Sequence, residues 1–180
     1  MTGDLNIYYN SALTNVSGLT GLQSVGGYLN VQSNPVLTNV NGFSSLTTVG
    51  TSTTGGYLQV YGNATLSNIN GFAALTNVAG YVQVYGNPAL TNLNGFAALQ
   101  SIGTTLNISA NAVLTSIAGL IFPTGALTQL GGAMTIQSNA QLSVCQTTAL
   151  KAALGSSWTS TFNNSGNLAC SGTCNGATCQ

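Results

Sequence analysis

A block of 24 residues recurs along most of this chain, and that repeat limits what it can fold into. Copies begin near Gly3, Gly27, Gly56, Gly80 and Thr105, and a degenerate one begins at Gly132. Residues 80–103, GYVQVYGNPALTNLNGFAALQSIG, align with GYLNVQSNPVLTNVNGFSSLTTVG and GYLQVYGNATLSNINGFAALTNVA. One copy carries a five-residue insertion at 51–55, and another is stretched around Pro123. Repeats of this length bury their apolar faces by stacking on one another, so the expectation is a solenoid.

Within a repeat, three short pieces read as extended. In the first, Leu29 and Val31, Leu58 and Val60, Val82 and Val84, and Leu106 and Ile108 alternate with polar residues. Period-2 alternation turns one face inward and the other to solvent. The second piece is Leu-Thr-Asn-Val, as at 37–40, and the third Leu-x-x-Val, as at 46–49. Gly42, Gly71, Gly95 and Gly119 mark turns. The pieces are too short and too β-branched for helices. Stacked coils place equivalent residues in ladders with rungs about 4.7–4.9 Å apart.

The shared pattern, G-x-L-x-[VI]-x-x-N-x-x-L-[TS]-x-[LIV]-x-G-[FL]-x-x-L-x-x-[VI]-G, resembles the receptor L-domain and its bacterial and algal relatives, a variant of the leucine-rich repeat. The resemblance covers roughly residues 3–142. It implies a mainly all-β fold: a right-handed β-solenoid of 24-residue, L-domain-like coils over residues 2–142. Residues 143–180 then form a helical, cysteine-rich cap. The resemblance speaks for architecture more than for ligand, since members of that family bind many things.

Charge is almost absent. The chain holds one acid, Asp4, and one base, Lys151, with no Arg, Glu or His, whereas an average domain is about 25% charged. No basic stripe exists to neutralise phosphates, so nucleic acid is excluded as a partner. Electrostatic capture of any charged partner is excluded too. No apolar run approaches the ~20 residues of a membrane span, so no membrane insertion is expected. General acid–base chemistry needs His, Asp, Glu or Lys in reach of a substrate, and no Ser or Cys has a His to activate it. The chain therefore reads as a non-enzyme without cofactor or metal.

Several side-chain rows follow from the period. Asn10, Asn34, Asn63, Asn87, Asn111 and Asn139 share one position and read as an internal amide ladder serving backbone groups at a bend, with a ligand role as the alternative. Phe43, Phe72 and Phe96, continued by Leu19 and Leu120, read as a core spine. Tyr28, Tyr57 and Tyr81 form a third row, and Tyr8, Tyr61 and Tyr85 a fourth, shared with Gln32, Ser109 and Gln137. These flank the outward amides Asn30, Gln59, Gln83 and Asn107. The most regular outward row is hydroxyl: Thr14, Thr38, Ser67, Thr91 and Thr115, followed directly by Asn15, Asn39, Asn68, Asn92 and Ser116. A weaker row, Thr47, Thr76 and Thr128, is interrupted by Gln23 and Gln100.

Two functions fit such surfaces. A rigid Thr/Asn ladder suits adsorption to an ice crystal, because regularly spaced methyls and hydroxyls order water and strongly hydrated charges would disturb that order. The chain is similar in style to ice-binding β-solenoids. The ice surface would comprise Thr14, Thr38, Ser67, Thr91, Thr115, Asn39, Asn68 and Asn92. Alternatively, Tyr61, Tyr85, Gln59 and Gln83 offer a glycan or cell-surface partner a flat apolar face with hydrogen-bonding groups. Four sequons, at Asn15, Asn63, Asn107 and Asn163, are glycosylation acceptors if the chain passes through a eukaryotic secretory pathway. A third option is assembly into filaments through uncovered sheet edges, although a monomer is the working expectation.

At the C-terminal end, residues 147–154 (TTALKAAL) read as a short helix stopped by Gly155, part of a cap in which Trp158 and Phe162 cover the last coil's apolar face. All four cysteines, Cys145, Cys170, Cys174 and Cys179, fall in this region, suggesting two disulfides and a secreted protein. Three pairings are open to four cysteines and the sequence does not choose among them; one bridge is expected to tie Cys145 to the tail, with a zinc site built from all four thiolates as the alternative. The N-terminal end shows no comparable cap; Met1 reads as an added initiator, and the first coil as cut from a longer chain or covered by a partner.

Overall fold

The computed structural model describes residues 1–51, 55–121 and 127–180. The core of the 51–55 insertion and the stretch around Pro123 lie outside the described residues.

The alternating first pieces form strands, and these stack in parallel into a broad seven-stranded sheet: Leu5–Tyr8, Leu29–Gln32, Leu58–Tyr61, Val82–Tyr85, Leu106–Ser109, Met134–Gln137 and Phe162–Asn163. Register pairs Leu5 with Leu29, Leu58 with Val82 and Val82 with Leu106, each step spanning one 24-residue period. Leu29 pairs with Leu58 across the insertion, and Leu106 with Met134 across the stretched copy. The third pieces are strands of two residues each. They make a narrow parallel sheet from Ser24–Val25, Thr48–Val49, Asn77–Val78, Ser101–Ile102 and Gln129–Leu130.

The second piece departs from expectation. Among the described residues it forms no named strand, only an isolated bridge between Asn92 and Ser116. One backbone N–H per coil still bonds to the preceding coil, as in Thr38 to the Thr14 carbonyl at 3.1 Å and Thr91 to that of Ser67 at 3.2 Å. Pairing goes no further because the chain turns at once into a 3-10 turn, Asn41–Phe43 and its equivalents, entered from Val40 at φ −119°, ψ 32°. Those turns bring successive coils into close backbone contact. A Cβ on Gly42, Gly71 or Gly95 would overlap the carbonyl oxygen of Val16, Val40 or Ile69 respectively. Glycine stands there because nothing larger fits between coils.

Inside lies one continuous apolar core. Phe43, Phe72 and Phe96 are wholly buried and stack with ring centroids 5.3 and 6.0 Å apart, with Leu120 buried beyond them. Burying side chains of this size stabilises by about 1.5–3 kcal/mol each. The first coil is less enclosed: Leu5, Ile7, Leu13, Leu19 and Leu22 are only partly buried.

At the other end the chain forms the helix Val144–Ala153. It starts three residues earlier than TTALKAAL suggests, because Ser143 caps it, its hydroxyl accepting from the Cys145 N–H at 3.2 Å. Gly155, at φ +76°, follows its last turn. Repeat geometry then resumes across the division expected at residue 142. Phe162 pairs with Met134 as the outermost strand of the broad sheet, and the Trp158 ring packs against the core. Cys145 bridges Cys174 and Cys170 bridges Cys179, so the helix is tied to the tail. No helix among the described residues is long and apolar enough to cross a membrane.

Candidate functional site

The Asn row is internal. Asn34, Asn63, Asn87, Asn111 and Asn139 have no exposed surface. Each Oδ1 accepts the backbone N–H of the preceding rung's asparagine, as in Asn63 to Asn87 and Asn87 to Asn111, both at 3.1 Å. Each Nδ2 donates back to a strand carbonyl, as in Asn87 to Val60 at 3.0 Å. These residues are used up in holding coil to coil. A seventh member, Asn167, accepts from the Asn139 N–H at 3.1 Å. It lies 28 residues after Asn139, as Asn139 does after Asn111, and that spacing is the signal that could have revealed it.

The Thr/Asn row is outward and locked. Thr14, Thr38, Ser67, Thr91 and Thr115 are exposed. Each hydroxyl from Thr38 onward donates to the carbonyl of the same residue one coil earlier: Thr38 to Thr14 at 3.2 Å, Ser67 to Thr38 at 3.3 Å, Thr91 to Ser67 and Thr115 to Thr91 at 3.2 Å. That carbonyl also receives the residue's own backbone N–H. Two donors from one residue onto one acceptor hold χ1 in a single well. The partner asparagines fix the other side: Asn39, Asn68 and Asn92 donate Nδ2 to the hydroxyl oxygens of Thr38, Ser67 and Thr91 at 3.1–3.3 Å. Their Oδ1 atoms accept the N–H groups of Asn41, Asn70 and Asn94. The face is thus a file of hydroxyl oxygens whose donor protons point inward from Thr38 onward, with a methyl on every rung except Ser67.

Gln146 closes this file, a role the sequence did not suggest. Its Nε2 donates to the Thr115 carbonyl at 2.7 Å and its Oε1 accepts the Ile117 N–H at 2.8 Å. One side chain replaces the next coil at the point where the helix takes over. The weaker row repeats the hydroxyl bond, with Thr47 on the Gln23 carbonyl and Thr76 on that of Thr47, and Gln100 breaks its methyl file.

On the broad sheet, Tyr61 and Tyr85 stack with centroids 4.5 Å apart and planes 8° from parallel; Tyr57 lies 4.7 Å from Tyr28 and 4.4 Å from Tyr81. Between them Gln59 donates to Gln83 at 2.7 Å. The Oδ1 atoms of Asn30 and Asn107, the rungs that flank Gln59 and Gln83, are buried without a hydrogen-bond partner. Because the rings stack along the ladder, Tyr57 is covered on both faces, and Tyr61 and Tyr85 each turn one face onto the other.

Tyrosines dominate the titration of this face. Desolvation, reinforced by Tyr57, pushes the Tyr81 phenol up to about 12. Desolvation also raises Tyr85, and a hydrogen bond to the Asp4 carboxylate raises Tyr28. The fold favours the neutral phenol over an unfolded value of about 10. Stability from Tyr81 is therefore fully present below about pH 10 and is lost as pH climbs to about 12. Chemical denaturation between pH 8 and 12 should show that decline, and Tyr81→Phe should make it shallower.

Of the four sequons, Asn63 is wholly buried in the amide ladder and Asn107 is half-buried on the broad sheet, whereas Asn15 and Asn163 are exposed. The sulfurs of Cys145, Cys170 and Cys179 lie within 4.8 Å of one another, each engaged in a disulfide. Comparison with protein-family models, curated proteins and solved structures finds no match to this chain.

Proposed function

We propose that this chain is a secreted, non-catalytic ice-binding protein, a right-handed L-domain-like solenoid that adsorbs to ice through Thr14, Thr38, Ser67, Thr91 and Thr115 with Asn39, Asn68 and Asn92. The observation that carries this reading is the double anchoring of each hydroxyl residue. A surface that imposes order on water must itself be ordered, and here each side chain from Thr38 onward is fixed by a bond to the coil before it. The scarcity of charge supports it as well, since ions hold their own hydration shells against an ice-like arrangement.

A glycan or cell-surface partner on the Tyr/Gln face is the weaker reading. Sugars stack on open ring faces, and Tyr61 and Tyr85 spend facing surfaces on each other. The test is direct. The intact protein should produce faceted ice crystals, a gap between melting and growth temperatures, and slowed recrystallisation. Round crystals with no hysteresis at any concentration would sink the proposal.

A further inference from the structure

We propose that a cleft on the narrow sheet, beside Trp158, binds a neutral polyhydroxylated ligand, with an oligosaccharide as its chemical class. The cleft has a volume of about 620 Å³, within the ~300–1,000 Å³ of small-molecule sites. It shares no residue with the Thr/Asn ladder, so it stands whether or not the protein adsorbs to ice.

Its floor is the outward row of the narrow sheet. Asn77, Ser101 and Gln129 are neighbours in register, and the Ser101 hydroxyl bonds to Asn77 Oδ1. In the first two strands this row carries the small hydroxyls of Ser24 and Thr48. Amides enter it only where the cleft lies. The opposite wall is the segment after the helix, with Leu154 and Trp158 as its apolar part and the hydroxyls of Ser157, Thr159 and Ser160 around them.

That wall is held at both ends. The Leu154 N–H bonds to the Leu150 carbonyl and the Trp158 N–H to that of Gly155, while Phe162 is locked into the broad sheet. The Trp158 indole N–H donates to the Gly132 carbonyl at 3.1 Å, which sets the ring's orientation and leaves it half-buried. A wall ordered in advance loses little freedom when a ligand arrives.

The lining selects the ligand. It includes no charged side chain, so nothing there pays for desolvating a phosphate, carboxylate or ammonium group. A lipid tail would strand the amides and hydroxyls without partners. A sugar ring matches both halves, its C–H face lying on an aromatic ring and its hydroxyls meeting amides and hydroxyls.

Trp158 is the chain's one tryptophan, so its emission reports directly on the cleft. Titration of the intact protein with maltotriose, cellotriose and chitotriose should give a saturable emission change with at least one of them. Calorimetry on Gln129→Ala and Ser101→Ala should then show affinity weakened about tenfold each, the scale of one lost hydrogen bond. Gln129 is exposed, so its variant should melt like the parent. No saturable response to any of the three sugars overturns the proposal. So does binding that survives both substitutions, or binding that is lost in Tyr85→Ala with the cleft variants unaffected.

Discussion

Replacing Asn87 with alanine should cost about 4 kcal/mol and lower the melting temperature by roughly 10 °C. Asn87 is wholly buried at the middle of the amide ladder. Its Oδ1 accepts both the backbone N–H and the Nδ2 of Asn63, at 3.1 and 3.3 Å, and its Nδ2 reaches the Val60 and Tyr85 carbonyls. Alanine leaves the Asn63 N–H without its acceptor in a place that water does not reach. A buried polar group stripped of its partner costs about 1–3 kcal/mol, and the cavity adds to that. Asn87→Asp should be at least as harmful, since it keeps the acceptors, loses the donors and buries a charge. Asn10 is the control. It is exposed in the first coil, and its side chain bonds to Asn34 and the Tyr8 carbonyl. Asn10→Ala should cost about 1 kcal/mol. Equal melting temperatures for the two alanine variants would show that the ladder does not hold the coils together.

The second large effect concerns ice. Thr91→Tyr should reduce thermal hysteresis to background while the fold survives. A phenol in the middle of the file lifts the surface off a flat crystal plane and breaks the register of Ser67, Thr91 and Thr115. The structural cost is small, because the position is exposed and the Ser67 carbonyl keeps the backbone N–H of residue 91. About 1 kcal/mol is expected for the lost hydroxyl bond. Thr91→Ser keeps that bond and removes the methyl, so it should weaken adsorption without abolishing it. Thr76→Tyr supplies the comparison, since Thr76 makes the same bond on the weaker row. Full activity in Thr76→Tyr and Tyr85→Ala alongside none in Thr91→Tyr assigns the Thr/Asn face. Activity that persists in Thr91→Tyr removes that face from consideration.

Much of the molecule could be read before its shape was known, for a physical reason. In a stack of like coils each residue's chief neighbour is its own counterpart one period away. Leu29 and Val31 point inward because Leu58 and Val60 do, and Asn34 meets Asn63 because the bend repeats. What escaped lies where the period fails. Gln146 sits on a helix and acts on a coil 29 residues earlier. Phe162 and Asn167 continue the stack in a segment that keeps little of the repeat beyond the Gly166-Asn167 pair. The Leu-Thr-Asn-Val piece reads as a strand from its β-branched residues, but its pairing to neighbouring coils reaches no further than the hydroxyl position, with one isolated bridge at Asn92, before the 3-10 turn begins. The tyrosine rows were visible as rows, whereas the consumption of ring faces by stacking depends on the angle between planes.

Amide and hydroxyl ladders here do the joining that ion pairs share in other proteins. Growing ice rejects solute, so the liquid at its edge becomes a brine whose ionic strength climbs and whose buffering drifts. Screening weakens bonds between charges but leaves bonds between neutral amides and hydroxyls largely alone. With one acid and one base in the whole chain, this stack of parallel sheets has little for salt to screen and little for a falling pH to protonate. Its architecture is suited to the film of concentrated water in which an ice-adsorbing protein would have to remain folded.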